Sequence, residues 1–294
     1  MTNKTTRSLL ILVAFATTVA DAQDDYQAEW QRMSRLGLQH ETALDLYAAL
    51  RESADDSDEP IFIEQLPDWS GLWTHSGITG LVFSPGPFGQ QPTFTPAAAA
   101  MLDEGARRAA EGVVYDENLS QCGPPGFPRW LTIPFLREFI VRPEQTWLSS
   151  ETVNNVRRIY TDGRDHPPEE ERYPLYYGDS IGFWDGQKLV IHTNQLMSRE
   201  MGRNGLRQSE QMETVEIWKK ISDESIRAHV WVYDAAIIEE PWYALRHYTQ
   251  VDNPASNLRM RYWHCGENDN NDVFQTEEGS TQYFDFTFGG GSGR

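Results

Sequence analysis

The chain has 294 residues and a formal net charge of −19, from 25 Lys and Arg against 44 Asp and Glu. A surface this acidic repels polyphosphates, anionic lipids and polyanionic polysaccharides, which argues against nucleic-acid or membrane-surface binding as the activity.

The opening stretch "MTNKTTRSLLILVAFATTVADAQ" carries a positive start at Lys4 and Arg7 and an apolar core from Ser8 to Ala20. It ends in an Ala20-Asp21-Ala22 cleavage pattern. That order reads as a secretory signal peptide over 1–22, with export to the periplasm or the medium. No other stretch approaches the ~18 apolar residues that a spanning helix needs, so no membrane anchor is expected. Residues 23–60 read as a helical extension with an acidic linker. Tyr26, Trp30, Met33 and Leu36 or Leu38 recur at helical spacing, and Ala43, Leu44, Leu46, Tyr47 and Leu50 form a second stripe within 24–53. "ESADDSDEP" (52–60) is a polar break ended by Pro60. The extension is expected to lie against a main domain over 61–288, followed by a flexible Gly-rich tail over 289–294.

In the main domain Ala97–Glu111 reads as one helix, with Thr95-Pro96 as cap and first-turn residue. "CGPPGFPR" (122–129) reads as an ordered irregular loop. Strands rich in β-branched and aromatic residues follow: Phe139–Ser149, Val153–Thr161, Ser180–Trp184, Lys188–Thr193, Thr214–Ile221, Ile226–Tyr233, Trp242–Val251 and Leu258–Cys265. Asp185-Gly186, Ser222–Ser225 and Asn253-Pro254 mark tight reversals. Short links make neighbours antiparallel. The expectation is a mainly β fold, an antiparallel up-and-down barrel with an N-terminal helical extension; a β-sandwich is the alternative.

Five ordered stretches carry a resemblance: "PDWSGLW" (67–73), "CGPPGFPR" (122–129), "RRIYTDGRDHP" (157–167), "SIGFWDGQKLVIHT" (180–193) and "EIWKKISDESI" (216–226). Together, over residues 64–268, the chain resembles a large family of exported bacterial proteins of unassigned function. The resemblance implies a lipocalin-like barrel and no particular reaction. It departs at His192, where an aspartate is common, and in the helical extension, which many members lack.

Along 153–162, Val156, Arg158, Tyr160 and Asp162 share one strand face, and Asn155, Arg157, Ile159 and Thr161 the other. The first set offers a reactive corner if it faces a lumen. His166 or Asp162 would be the base, Tyr160 a proton donor, and Arg158 and Arg164 an anion clamp. The competing reading is a strand end tied to a turn at Asp162-Gly163. Trp184, Trp231 and Tyr262 are candidate aromatic contacts for a ligand in that lumen, or core.

Cys122 and Cys265 are an even pair in an exported chain and are expected to form a disulfide. His166, His192, His264 and Glu267 lack metal-ligand spacing, and no nucleotide or nucleophile-elbow motif occurs, so neither metal nor cofactor is expected. The functional reading is a barrel that takes a small, largely apolar or aromatic molecule, with acid–base catalysis by hydration, elimination, isomerisation or hydrolysis. A non-catalytic carrier or scavenger is the alternative, and the oligomeric state stays open.

Overall fold

The computed structural model describes residues 28–54, 61–76, 92–113, 122–201, 204–251 and 258–263, together with the backbone of 273–275 and 281–283. The expected signal sequence, most of the acidic linker, Cys265 and the Gly-rich tail lie outside the described residues.

Nine strands close on themselves in chain order: β1 (Leu72–Ser76), β2 (Arg137–Ile140), β3 (Gln145–Ser150), β4 (Asn155–Tyr160), β5 (Asp179–Asp185), β6 (Lys188–Asn194), β7 (Glu213–Ser222), β8 (Ser225–Tyr233) and β9 (Trp242–Gln250). Every junction is antiparallel except β4 to β5, which meet in parallel at Tyr160 and Ile181. The parity explains the exception. Nine strands alternating without a break would bring β1 and β9 together in parallel, yet they pair antiparallel from Trp73–Gln250 to Ser76–His247. One parallel junction restores closure, and it requires a long crossover rather than a hairpin. Residues 161–178 are that crossover, and they carry His166.

The expected up-and-down barrel is therefore what the chain forms, with local corrections. Phe139–Ser149 is two strands, β2 and β3, separated by a reversal. The β5–β6 turn consists of Gly186 and Gln187, one residue beyond the expected pair, because Asp185 already pairs with Lys188. Residues 258–263 of the expected last strand are not strand; Asn154 accepts a bond from the Trp263 amide and Glu151 one from the Arg261 amide, which fixes this stretch as an irregular strap. A small separate hairpin pairs β10 (Val273–Gln275) with β11 (Thr281–Tyr283).

The helices are where local chemistry places them. Residues 28–37 form α1, α2 spans Ala43–Glu52, and α3 spans Pro96–Ala110. Thr42 caps α2 by accepting from the Asp45 amide at 3.1 Å, and Thr95 caps α3 by accepting from Ala98 at 3.2 Å, with Pro96 in the first turn.

Two apolar layers result. The inner faces of the strands pack Trp73, Phe139, Trp184, Trp218 and Tyr248 around Trp69, with Trp218 stacked on Tyr248 at 5.1 Å and Trp69 edge-on to Trp184 at 5.6 Å. Phe127, Trp130 and Leu131, from the irregular "CGPPGFPR" stretch and the short 3₁₀ turn after it, join the same cluster, fully buried. The expected lumen is thus filled by indole and aliphatic groups. The second layer lies outside the barrel, where Ile181, Phe183, Val190, Val215, Trp231, Tyr243 and Leu245 meet Leu46 and Tyr47 of α2 and Trp30 and Met33 of α1. Two directional bonds lock that layer: Trp231 Nε1 donates to Met33 O at 2.8 Å and Tyr233 Oη to Gly37 O at 3.1 Å.

Candidate functional site

The crossover is tied at both ends. Thr161 donates its amide to Glu144 O at 2.8 Å and its hydroxyl to Pro143 O at 2.7 Å. Leu175 donates to Gln195 O at 2.8 Å, and Gly178 then turns the chain into β5 at φ +68°, where a Cβ would press on Asn194 O. Between those ties the crossover runs along the outer wall of β5 and β6. His166 is thereby laid over His192.

Alternation explains which groups meet it. On β5, Ser180 and Trp184 point inward, so Asp179 points out. On β6, Thr193 and Ile191 point inward, so His192 points out. Glu213 leads the next strand on the same outer wall. The outcome is one continuous chain of four side chains. His166 Nδ1 is 2.5 Å from Asp179 Oδ1, His166 Nε2 is 2.7 Å from His192 Nδ1, and His192 Nε2 is 3.1 Å from Glu213 Oε2. The imidazoles are buried, at 8% and 1% side-chain exposure, while Asp179 and Glu213 reach solvent at 17% and 35%.

A proton count follows from this geometry. Each of the three contacts needs one proton between its heavy atoms, and two neutral imidazoles bring only two. With both rings neutral and both end groups ionised, one contact of the array has room for a further proton. The array's most open and longest link is at Glu213.

Tyr47 of α2 closes one side, with its ring 5.6 Å from that of His192 and 5.4 Å from Phe183. Burial pushes the Tyr47 phenol up to about 12, with Arg51 pulling it down and Asp165 pushing it up. The phenol is thus a neutral donor at ordinary pH. Among the described residues no group of three or more His, Cys, Asp or Glu side chains is arranged to hold a metal ion.

The corner expected inside the barrel lies outside it. Arg158 is exposed and reaches over Trp147 on the outer wall. Asp162 takes a side-chain pair from Arg164 at 2.6 Å, and Arg164 lies 4.2 Å above the Tyr160 ring. This pairing holds the Asp162 carboxyl below the usual carboxylate range. Asp162, Arg164 and Tyr160 form a tie at the strand end, and Arg158 stands apart over Trp147. Their neighbour Arg157 is the inward arginine. Trp184 belongs to the packed interior, Trp231 lies under α1, and Tyr262 is 80% exposed. Cys122 is described but its expected partner is not. Of the expected reactive groups, His166 alone sits in the four-membered chain.

Sequence reasoning missed Asp179, Glu213 and the part played by His192. The available signal was a charged or imidazole group on the same face of three successive strands, each at or near the same barrel end.

Neither a protein-family model nor a curated protein matches the sequence. Among solved structures the chain is similar to a point mutant of the fluorescent protein UnaG, at 12% identity over 63% of this chain and 97% of that one, with a TM-score of 0.28.

Proposed function

We propose that this is an exported, cofactor-free acid–base protein that acts on a small molecule at the outer barrel wall, between α2 and the crossover. The observation that carries the reading is the uninterrupted Asp179–His166–His192–Glu213 chain. Export follows from the Lys4–Ala22 pattern, and the resemblance to the exported bacterial family agrees with it.

Glu213 is the accessible end and would take a proton from the substrate. His192 accepts it at Nε2 and passes its Nδ1 proton to His166 Nε2, and His166 passes its own Nδ1 proton to Asp179. Charge thus moves along the wall without either imidazole leaving its place, which is the advantage of a fixed relay over a lone base. Tyr47 would donate to the developing anion. A carrier that uses the barrel interior finds no support, since that space is filled.

The test uses two generic probes, a nitrobenzisoxazole that opens on loss of one carbon-bound proton and an activated ester. The wild type should exceed Glu213→Gln, His192→Asn and His166→Asn by about 10²-fold or more, the usual size of a positioned acid–base group. Equal rates in all four proteins would contradict the reading.

A further inference from the structure

We infer that Arg164 and Arg172 are positioning residues for the imidazole chain: from either side they hold the crossover so that His166 stands over His192. The inference rests on the acid–base reading for its effect on turnover, and on the geometry of the chain for its effect on the ring protons.

His166 needs such a device because no strand carries it. Asp179, His192 and Glu213 are fixed by barrel pairing, with Asn194, Ile181 and Tyr233 as their partners across the sheet. The crossover is tied to the barrel at Thr161 and Leu175, on either side of His166. Yet His166 has to meet two partners at once, Asp179 at 2.5 Å and His192 at 2.7 Å. An irregular backbone without closer restraint would spread over many conformations and lose that geometry.

Register supplies the anchor. Tyr160, Ile181 and His192 are direct partners across β4, β5 and β6 and share the outer wall, so they form one row. Arg164 lies 4.2 Å above the Tyr160 ring, at one end of that row. Its Nε stands 2.9 and 3.0 Å from the two Asp162 oxygens, Nη2 donates to Oδ2 at 2.6 Å, and the amide donates to Oδ1 at 3.3 Å. A planar guanidinium bonded along its edge and stacked on its face keeps little freedom. The Asp162 bonds foremost, and Asp179 further out, raise the proton affinity of the Arg164 guanidinium, so Arg164 stands within the field of the chain's own carboxylate. On the other side Arg172 Nε donates to Pro167 O at 2.8 Å, across the 3₁₀ turn Glu169–Glu171. Pro167 follows His166 directly, so this bond fixes the chain where it leaves the histidine. The motif that opens with Arg157 thus serves His166 through its flanks.

Histidine ring-proton spectra and probe turnover of the full chain test this in Arg164→Ala, Arg164→Lys and Arg172→Ala. The control is Arg107→Ala, which removes an exposed, carboxylate-paired arginine from α3. Both crossover alanine variants should speed exchange of the His166 and His192 ring protons at least about tenfold. They should also lower kcat about tenfold with KM unchanged, since a misplacement of ~1 Å costs up to about 10²-fold. Arg164→Lys keeps the charge without the planar fork and should recover only part of the loss. Arg107→Ala should alter neither readout. Wild-type ring protons and kcat in both crossover alanine variants, or full recovery with lysine, would overturn the inference. So would the absence of slowly exchanging ring protons in the wild type. A wild type that turns over neither probe, while its ring protons still depend on Arg164 and Arg172, would keep the inference and reject the acid–base reading instead. If one alanine variant loses the near-ultraviolet dichroism of the packed interior, the other decides.

Discussion

Arg157 and Glu216 face each other inside the barrel, with guanidinium nitrogens 3.0 and 2.6 Å from the two carboxylate oxygens and side-chain exposures of 1% and 0%. Ser180 and Thr193 bond the same guanidinium nitrogen, Trp218 Nε1 donates to Glu216, and the Phe127 ring covers the guanidinium at 3.9 Å. Four strands and the irregular plug thus converge on one ion pair. Removing one member leaves an uncompensated buried charge, which costs about 3–5 kcal/mol, whereas replacing both with apolar groups of similar volume is often neutral. Urea denaturation should show Arg157→Met strongly destabilised and Arg157→Met with Glu216→Met more stable than either single variant. Additive losses would mean that the pair is not coupled.

Acid should loosen this fold well above the carboxylate range. Burial, reinforced by Arg246 and Arg137, pushes His75 down to about 4. Burial and then Arg227 push His229 down to about 3 and His247 to about 4. The unfolded chain takes up these protons near pH 6.5 and the folded one does not, so stability is fully present above that value and falls as pH drops from about 6.5 towards 4. Urea midpoints measured at successive pH values should show this slope. His75→Phe should flatten part of it and be no less stable at pH 7, because His75 Nδ1 has no hydrogen-bond partner among the described residues.

The helical extension covers an apolar wall, and the fit is tight at one point. A Cβ on Gly37 would sit 2.5 Å from Trp231 Cδ1. Gly37→Leu is therefore expected to lift α1 while the inner core stays packed. Limited proteolysis should cut within 28–54 faster than in the wild type, with the near-ultraviolet dichroism of the interior tryptophans retained. Protection equal to the wild type would show that the extension holds on by other contacts. Removing residues 23–60 should go further, exposing Phe183, Val215 and Trp231 and raising dye binding and self-association.

The sequence makes the local features readable and leaves the sidedness open, for a physical reason. Thr95-Pro96 and the Ser222–Ser225 reversal act within a few residues, so their chemistry specifies them. Strand alternation separates Leu189 from Val190 and Trp218 from Ile217, but it does not say which face is inside. Here both faces of β5, β6 and β7 are buried, one by the interior and one by α1 and α2, so neither face is marked by polarity. The choice between Arg157 and Arg158 was decidable only through a distant partner. Glu216, a lone carboxylate among Val215, Ile217 and Trp218, was the available clue, since a charge in a fully buried strand needs a counter-charge. The imidazole chain was half legible: His166 stands out beside its arginines, whereas Asp179, His192 and Glu213 become a site only when the parallel junction folds the crossover over β5 and β6.

The account turns on His166 and His192 sharing a proton between two carboxylates. Long-range ¹H–¹⁵N correlation spectra of histidine-labelled protein near neutral pH measure this directly. The account predicts strongly deshielded, slowly exchanging ring protons on these two histidines, coupled to each other and lost together in His166→Asn or Asp179→Asn. Two independent neutral tautomers with freely exchanging ring protons, unaffected by either substitution, would contradict it.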